Sequence, residues 1–80
     1  MTIDDAINDL KTKIAAVSKG VEFKVVKMSA EEARLSVFVT AAEMQPIRDA
    51  TFQPVMDLLN NDGFDIQVLV YDKDHPPEIG

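Results

Sequence analysis

The chain contains no cysteine and no tryptophan. Without cysteine there is no disulfide framework, no thiolate metal site and no thiol nucleophile, and a reducing, cytoplasmic setting is the expectation. Glycine occurs only at positions 20, 63 and 80. No glycine-rich loop therefore precedes a helix to cradle a phosphate. The one histidine, His75, stands beside Pro76 and Pro77, a context for an exposed ring rather than a positioned base. No apolar run approaches the roughly 18 residues of a membrane span. The opening Met1-Thr-Ile-Asp-Asp5 lacks a basic region, so no secretory signal is expected.

Positive charge is scarce in one half only. Up to residue 40, Lys11, Lys13, Lys19, Lys24, Lys27 and Arg34 balance six acids; beyond it only Arg48 and Lys73 face eight acids, so the net charge of -6 lies there. A polyanion would be repelled by that half, because clustered cations supply most nucleic-acid affinity. What remains is globular: 80 residues, 46% hydrophobic and 28% charged, enough for one small domain.

Residues 3–19 carry Ile3, Ile7, Leu10, Ile14 and Val17 at three- and four-residue steps, which predicts an amphipathic helix. Thr2 with Asp5 imitates a capping box at its start, and Gly20 is expected in the left-handed position at its end. Residues 21–28, 34–40 and 64–71 alternate and are rich in strand formers. Thr40-Ala-Ala-Glu43 reads as a second capping box. Pro46 and Pro54 then predict two helices, about 41–50 and 53–62, or one sharply kinked helix. The tail 73–80 is polar and reads as flexible beyond a single domain of residues 1–72.

The order α-β-β-α(α)-β predicts an α+β two-layer sandwich, with helices on one face of a three-stranded mixed sheet. Its expected core is Ile3, Ile7, Leu10, Ile14, Val17, Phe23, Val25, Leu35, Val37, Val39, Val55, Leu59, Ile66, Val68 and Val70. The opposite parity of each strand faces away from the helices. That face carries Val26, Met28, Phe38, Leu69 and Tyr71, more apolar groups than a solvated sheet needs. These five are the candidate surface for a protein partner or a homodimer, with Phe38 and Tyr71 as anchors. Lys24, Lys27 and Arg34 beside the same aromatics are the candidates for an alternative, RNA- or ribosome-associated role.

Chemistry finds weaker support. Asp72, Asp74 and His75 are ligand types close together, yet the segment has neither turn glycine nor second ligand set, so a solvated acidic tail is the reading. Ser18, Ser29 and Ser36 lack a glycine elbow. No cofactor, metal or small-molecule substrate is expected, and the chain reads as non-enzymatic.

The element order, the two-part middle helix and a last strand ending in Val70-Tyr71-Asp72 resemble the type II KH-like architecture over residues 3–72. BolA-like proteins and ribosome-binding factor A are the nearest likenesses. Where KH domains place a Gly-x-x-Gly loop, this chain has Asp49-Ala50-Thr51-Phe52. The basic-His-basic motif that BolA-like proteins use with glutaredoxin and an iron–sulfur cluster is reduced to Arg48. No functional residue carries over. The resemblance implies a fold, and a KH-like domain without its loop and acidic in that half implies contact with protein rather than RNA.

Overall fold

The computed structural model describes residues 1–74. It contains α1 (Ile3–Val17), β1 (Glu22–Lys27), β2 (Glu32–Val39), α2 (Ala41–Asp57), a π-helical turn (Leu58–Asp62) and β3 (Asp65–Asp72). The strands lie in the order β1-β2-β3, antiparallel between β1 and β2 and parallel between β2 and β3. This is the expected α+β sandwich, its mixed sheet covered on one face by the helices. The expectation at His75, and that of a flexible tail beyond residue 74, lie outside the described residues.

Central β2 sets the phase. Ala33, Leu35, Val37 and Val39 are fully buried and alternate with Arg34, Ser36 and Phe38, which point to the open face. Register carries the parity to both neighbours: Phe23 and Val25 oppose Val37 and Leu35, while Ile66, Val68 and Val70 oppose Ala33, Leu35 and Val37. Against this floor pack Ile3, Ala6, Ile7, Leu10 and Ile14 of α1, with Ile47 and Leu58 from the second helical stretch. Each large side chain so buried stabilises the fold by about 1.5–3 kcal/mol.

The details differ from the sequence reading at four places. Val17 is 41% exposed, because the stripe of α1 continues through Ile14 to Ser18, which is 1% exposed. Leu59 is also outside the core, at 44% exposure, and Leu58 takes the inward position. Gly20 does not adopt a positive φ; Gly63, φ 73°, is the left-handed residue, and it ends the π turn. Of the two alternatives for the proline-bearing stretch, the single helix is the one that forms, as an α-helix of 17 residues followed by the π turn. Around its last turns the Thr51 hydroxyl donates to the Ile47 carbonyl at 2.9 Å, a local bond inside a segment expected to break.

The fourth difference concerns the caps. At α1 the Thr2 N–H donates to Asp5 Oδ2 at 3.1 Å and the Asp5 N–H donates to Thr2 Oγ1 at 3.3 Å, a full capping box. At α2 the Thr40 hydroxyl makes no cap bond to a backbone N–H. It donates instead to Glu43 Oε1 at 2.7 Å, so the expected box does not form.

Candidate interaction site

Register arranges the open face in three cross-strand rows: Glu22–Phe38–Tyr71, Lys24–Ser36–Leu69 and Val26–Arg34–Gln67. Phe38 and Tyr71 stack, with centroids 5.4 Å apart and planes inclined at 24°. Leu69 lies two residues before Tyr71 on the same side, in the next row. Val26 and Met28 are 42% and 48% exposed, but they sit at the hairpin end beyond Arg34 and Ser36. The five candidates thus fall into two groups: Phe38, Leu69 and Tyr71 together, and Val26 with Met28 apart from them.

The three candidate cations are divided by the sheet. Lys24 and Arg34 face outward on adjacent rows. Lys27 has the parity of Phe23 and Val25, and its Nζ meets Asp4 Oδ2 of α1 at 3.1 Å. The Asp74 N–H closes a local turn on Asp72 Oδ1 at 2.9 Å. Among the described residues no group of three or more His, Cys, Asp or Glu side chains is placed to hold a metal.

A second apolar surface lies around the edge of the sheet. Since α2 starts beside the end of β2 and β3 runs parallel to β2, α2 and β3 run in opposite directions. A groove of about 510 Å³ opens between them. Phe52, Val55, Met56 and Leu59 form its helical wall, and residues 65–69 of β3 form the other. Phe52 is 68% exposed and Met56 37%, so with Leu59 three large apolar groups stand in the open along one helix side. Arg48 lines the end toward Leu69, and Asp65 lines the opposite end. Leu69 belongs both to this groove and to the aromatic group of the open face.

The strand wall of the groove is an unpaired edge. The Asp65 and Lys73 N–H groups donate to the Glu31 and Val39 carbonyls of the β2 side, at 2.8 Å each. Backbone groups alternate in direction along a strand. The N–H and C=O of Ile66, Val68 and Val70 therefore point away from β2, and no strand among the described residues pairs with them. At the start of this edge Asp65 lies directly opposite Glu32, a like-charged cross-strand pair.

Where α1 ends and α2 begins there is a polar cluster. The Glu43 carboxyl is held below its ordinary value of 4.5, first by the Thr40 hydroxyl, then by the Ser18 hydroxyl, with the Lys73 charge adding to it. Ser18 Oγ is buried without a hydrogen bond of its own, so it acts on Glu43 by proximity rather than through a formed bond. The cluster joins the two helices and opens onto no groove wall.

Phe52, Met56 and Leu59 were not among the sequence candidates. The signal for them was a stripe at steps of four and three, one position round from the buried Ile47, Thr51 and Leu58. No family model, curated protein or solved structure matches this chain.

Proposed function

We propose that the chain is a non-catalytic protein-interaction domain whose docking surface is the α2–β3 groove, extended around the edge by Leu69, Tyr71 and Phe38. The observation that carries this reading is the exposure of Phe52, Met56 and Leu59 on one wall of an apolar groove. A domain this small gains nothing in solution from three such groups side by side, and contiguous exposed apolar surface marks interaction sites. Aromatic and methionine side chains are also the types enriched where interfaces are buried. The element order supports the KH-like architecture, and the acid surplus of residues 41–80, which supply both groove walls, supports a protein in it rather than a nucleic acid.

The test is affinity capture with the wild-type chain, followed by titration of the purified captured protein against variants. Phe52→Asp is expected to weaken binding at least about tenfold, a typical loss for an interface anchor, with an unchanged thermal midpoint. Val26→Asp, on the distant hairpin group, is expected to bind as wild type. Equal affinity of Phe52→Asp and wild type refutes the groove as the docking surface.

A further inference from the structure

We infer that β3 takes up an extended, basic segment of the partner as a fourth strand, with apolar side chains of that segment lying in the α2–β3 groove. This rests on the docking reading above and names the partner's chemistry. Three observations carry it. First, nothing among the described residues pairs with the edge: Ile66, Val68 and Val70 present their N–H and C=O groups outward, in a strand of eight residues with no lysine, arginine or proline inside it. Edge strands that are not meant to pair are short, charged or otherwise blocked. Second, the groove runs along that edge, so a strand added there brings alternate side chains over Phe52, Met56 and Leu59. Main-chain bonds then hold the segment, and the apolar wall selects its alternate positions.

Third, the charge at the start of the edge is unbalanced. Glu32 and Asp65 oppose one another across the β2–β3 ladder, and residues 41–80, which include β3, carry the whole acid surplus of the chain. A lysine or arginine entering there adds an opposite charge beside this like-charged pair, whose neighbouring cation within the sheet is Arg34 of the next row. Arg48, at the other end of the groove, leaves that end suited to an uncharged or acidic residue. A second copy of this chain meets the opposite condition: each copy brings a net charge of -6, concentrated in the half that holds β3. The partner strand is therefore basic at the Asp65 end, apolar at alternate positions, and not this chain.

The experiment uses the full chain and two capped heptapeptides, Lys-Val-Thr-Val-Thr-Val-Thr and the same peptide with glutamate in place of its lysine. Amide exchange is followed residue by residue by NMR during titration. The lysine-ended peptide is expected to slow exchange at Ile66 and Val68 by about tenfold at saturation, without change at Phe23 or Val25 on the other edge, and the glutamate-ended peptide to bind at least about tenfold more weakly. Asp65→Lys is expected to narrow or reverse that preference, and the milder Asp65→Asn to reduce it. Perturbation of Phe52 and Met56 side chains with no slowing at Ile66 and Val68 overturns strand addition while leaving the groove as a docking site. Equal binding of both peptides overturns the basic partner. No response to either peptide overturns the inference, and the Phe52→Asp titration with the captured protein then decides the docking reading separately. Protection at Ile66 and Val68 that grows with protein concentration alone assigns the edge to a second copy and overturns it too.

Discussion

β1 and β3 are both edge strands on β2, and they are finished in opposite ways. β1 has six residues, and its open-face positions are Glu22, Lys24 and Val26. Its other face is clasped from α1: Lys11 Nζ lies 5.7 Å from the centre of the Phe23 ring, and Asp4 holds Lys27. β3 has eight residues, and between its terminal aspartates the open-face positions are Gln67, Leu69 and Tyr71. Its helical neighbour α2 packs on its inner face, with Ile47 and Leu58 in one cluster with Ile66, and leaves a groove along Phe52, Met56 and Leu59. A lysine on an edge keeps other strands away, because pairing would strip water from the ammonium group. The two edges thus differ in charge on the open face, Lys24 standing where β3 has Leu69, and among the described residues the β3 edge is bordered by the apolar groups of α2.

The largest expected effect falls on what the two edges share. Leu35 is fully buried at the middle of β2, opposite Val25 on one side and Val68 on the other. Leu35→Ala removes several methyl contacts and is expected to cost about 3 kcal/mol, measured by urea unfolding. Because both edges hang on β2, exchange protection should fall alike in β1 and β3. Loss confined to one edge would show that the strands differ in packing, not only in finish.

A middle-sized effect follows from exchanging the finishes. Lys24, Ser36 and Leu69 form one cross-strand row, so Lys24 and Leu69 are equivalent positions on the two edges. Leu69→Lys transplants the protection of β1 onto β3; partner affinity should drop at least about tenfold, with a stability loss of about 1 kcal/mol. Lys24→Leu does the reverse and should make the β1 edge adhesive, seen by light scattering as a mass that rises with concentration. Unchanged mass for Lys24→Leu and unchanged affinity for Leu69→Lys would mean that side-chain charge is not what separates the edges.

This contrast was partly legible in the sequence. Alternation placed every strand within two residues, and its parity correctly separated Leu35, Val37 and Val39 from Ser36 and Phe38. That parity also put Lys24, Phe38, Leu69 and Tyr71 on the open face. What it could not supply was the order of strands, and without an order there are no edges. The groove was hidden for another reason. Pro46 and Pro54 argue for a break, and placing the break at residues 51–52 cuts the phase running from Ile47 through Thr51 to Leu58. With the phase intact, Phe52, Met56 and Leu59 fall on the adjacent stripe. With it cut, Leu59 joins the core and Phe52 falls in the gap. Proline rules describe a missing donor and a local clash, costs of about 3 kcal/mol that tertiary burial of Ile47 and Leu58 is large enough to offset.

A smaller effect tests whether α1 and α2 hold their edges with different firmness. Thr2 closes a two-bond capping box on α1, the helix that clasps β1; Thr40 makes no backbone cap bond on α2, the helix beside the open edge. Thr2→Ala should therefore cost about 1 kcal/mol. Thr40→Ala should cost less, since it removes a half-buried hydroxyl–carboxylate bond and no cap. Thermal unfolding of the two variants gives the order, and the reverse order would mean that the Thr40–Glu43 bond does more for α2 than a cap does for α1.

The smallest expected effect is the pH dependence, and it has the same sign at both helices. Asp5 is held below its ordinary value of 3.8 by the Thr2 N–H first and the Thr2 hydroxyl second; Glu43 is held below 4.5 by the Thr40 hydroxyl first. Both are carboxyls whose folded-state values are depressed, so the unfolded chain takes up protons first as pH falls. The stabilisation from each is complete above its unfolded value and is lost as pH drops through the folded one. Acidification from pH 6 should leave stability level until about pH 5 and then lower it. Asp5→Asn should flatten the part that belongs to α1, and Glu43→Gln the part that belongs to α2. Both groups are solvent-exposed, so salt and hydration moderate each contribution. The informative outcome is local: if Asp5 anchors the clasp on β1, acid should raise amide exchange at Phe23 and Val25 in wild type but not in Asp5→Asn, while Ile66 and Val68 respond alike in both. Equal acid sensitivity of the two edges in Asp5→Asn and wild type would uncouple the α1 cap from the protection of β1.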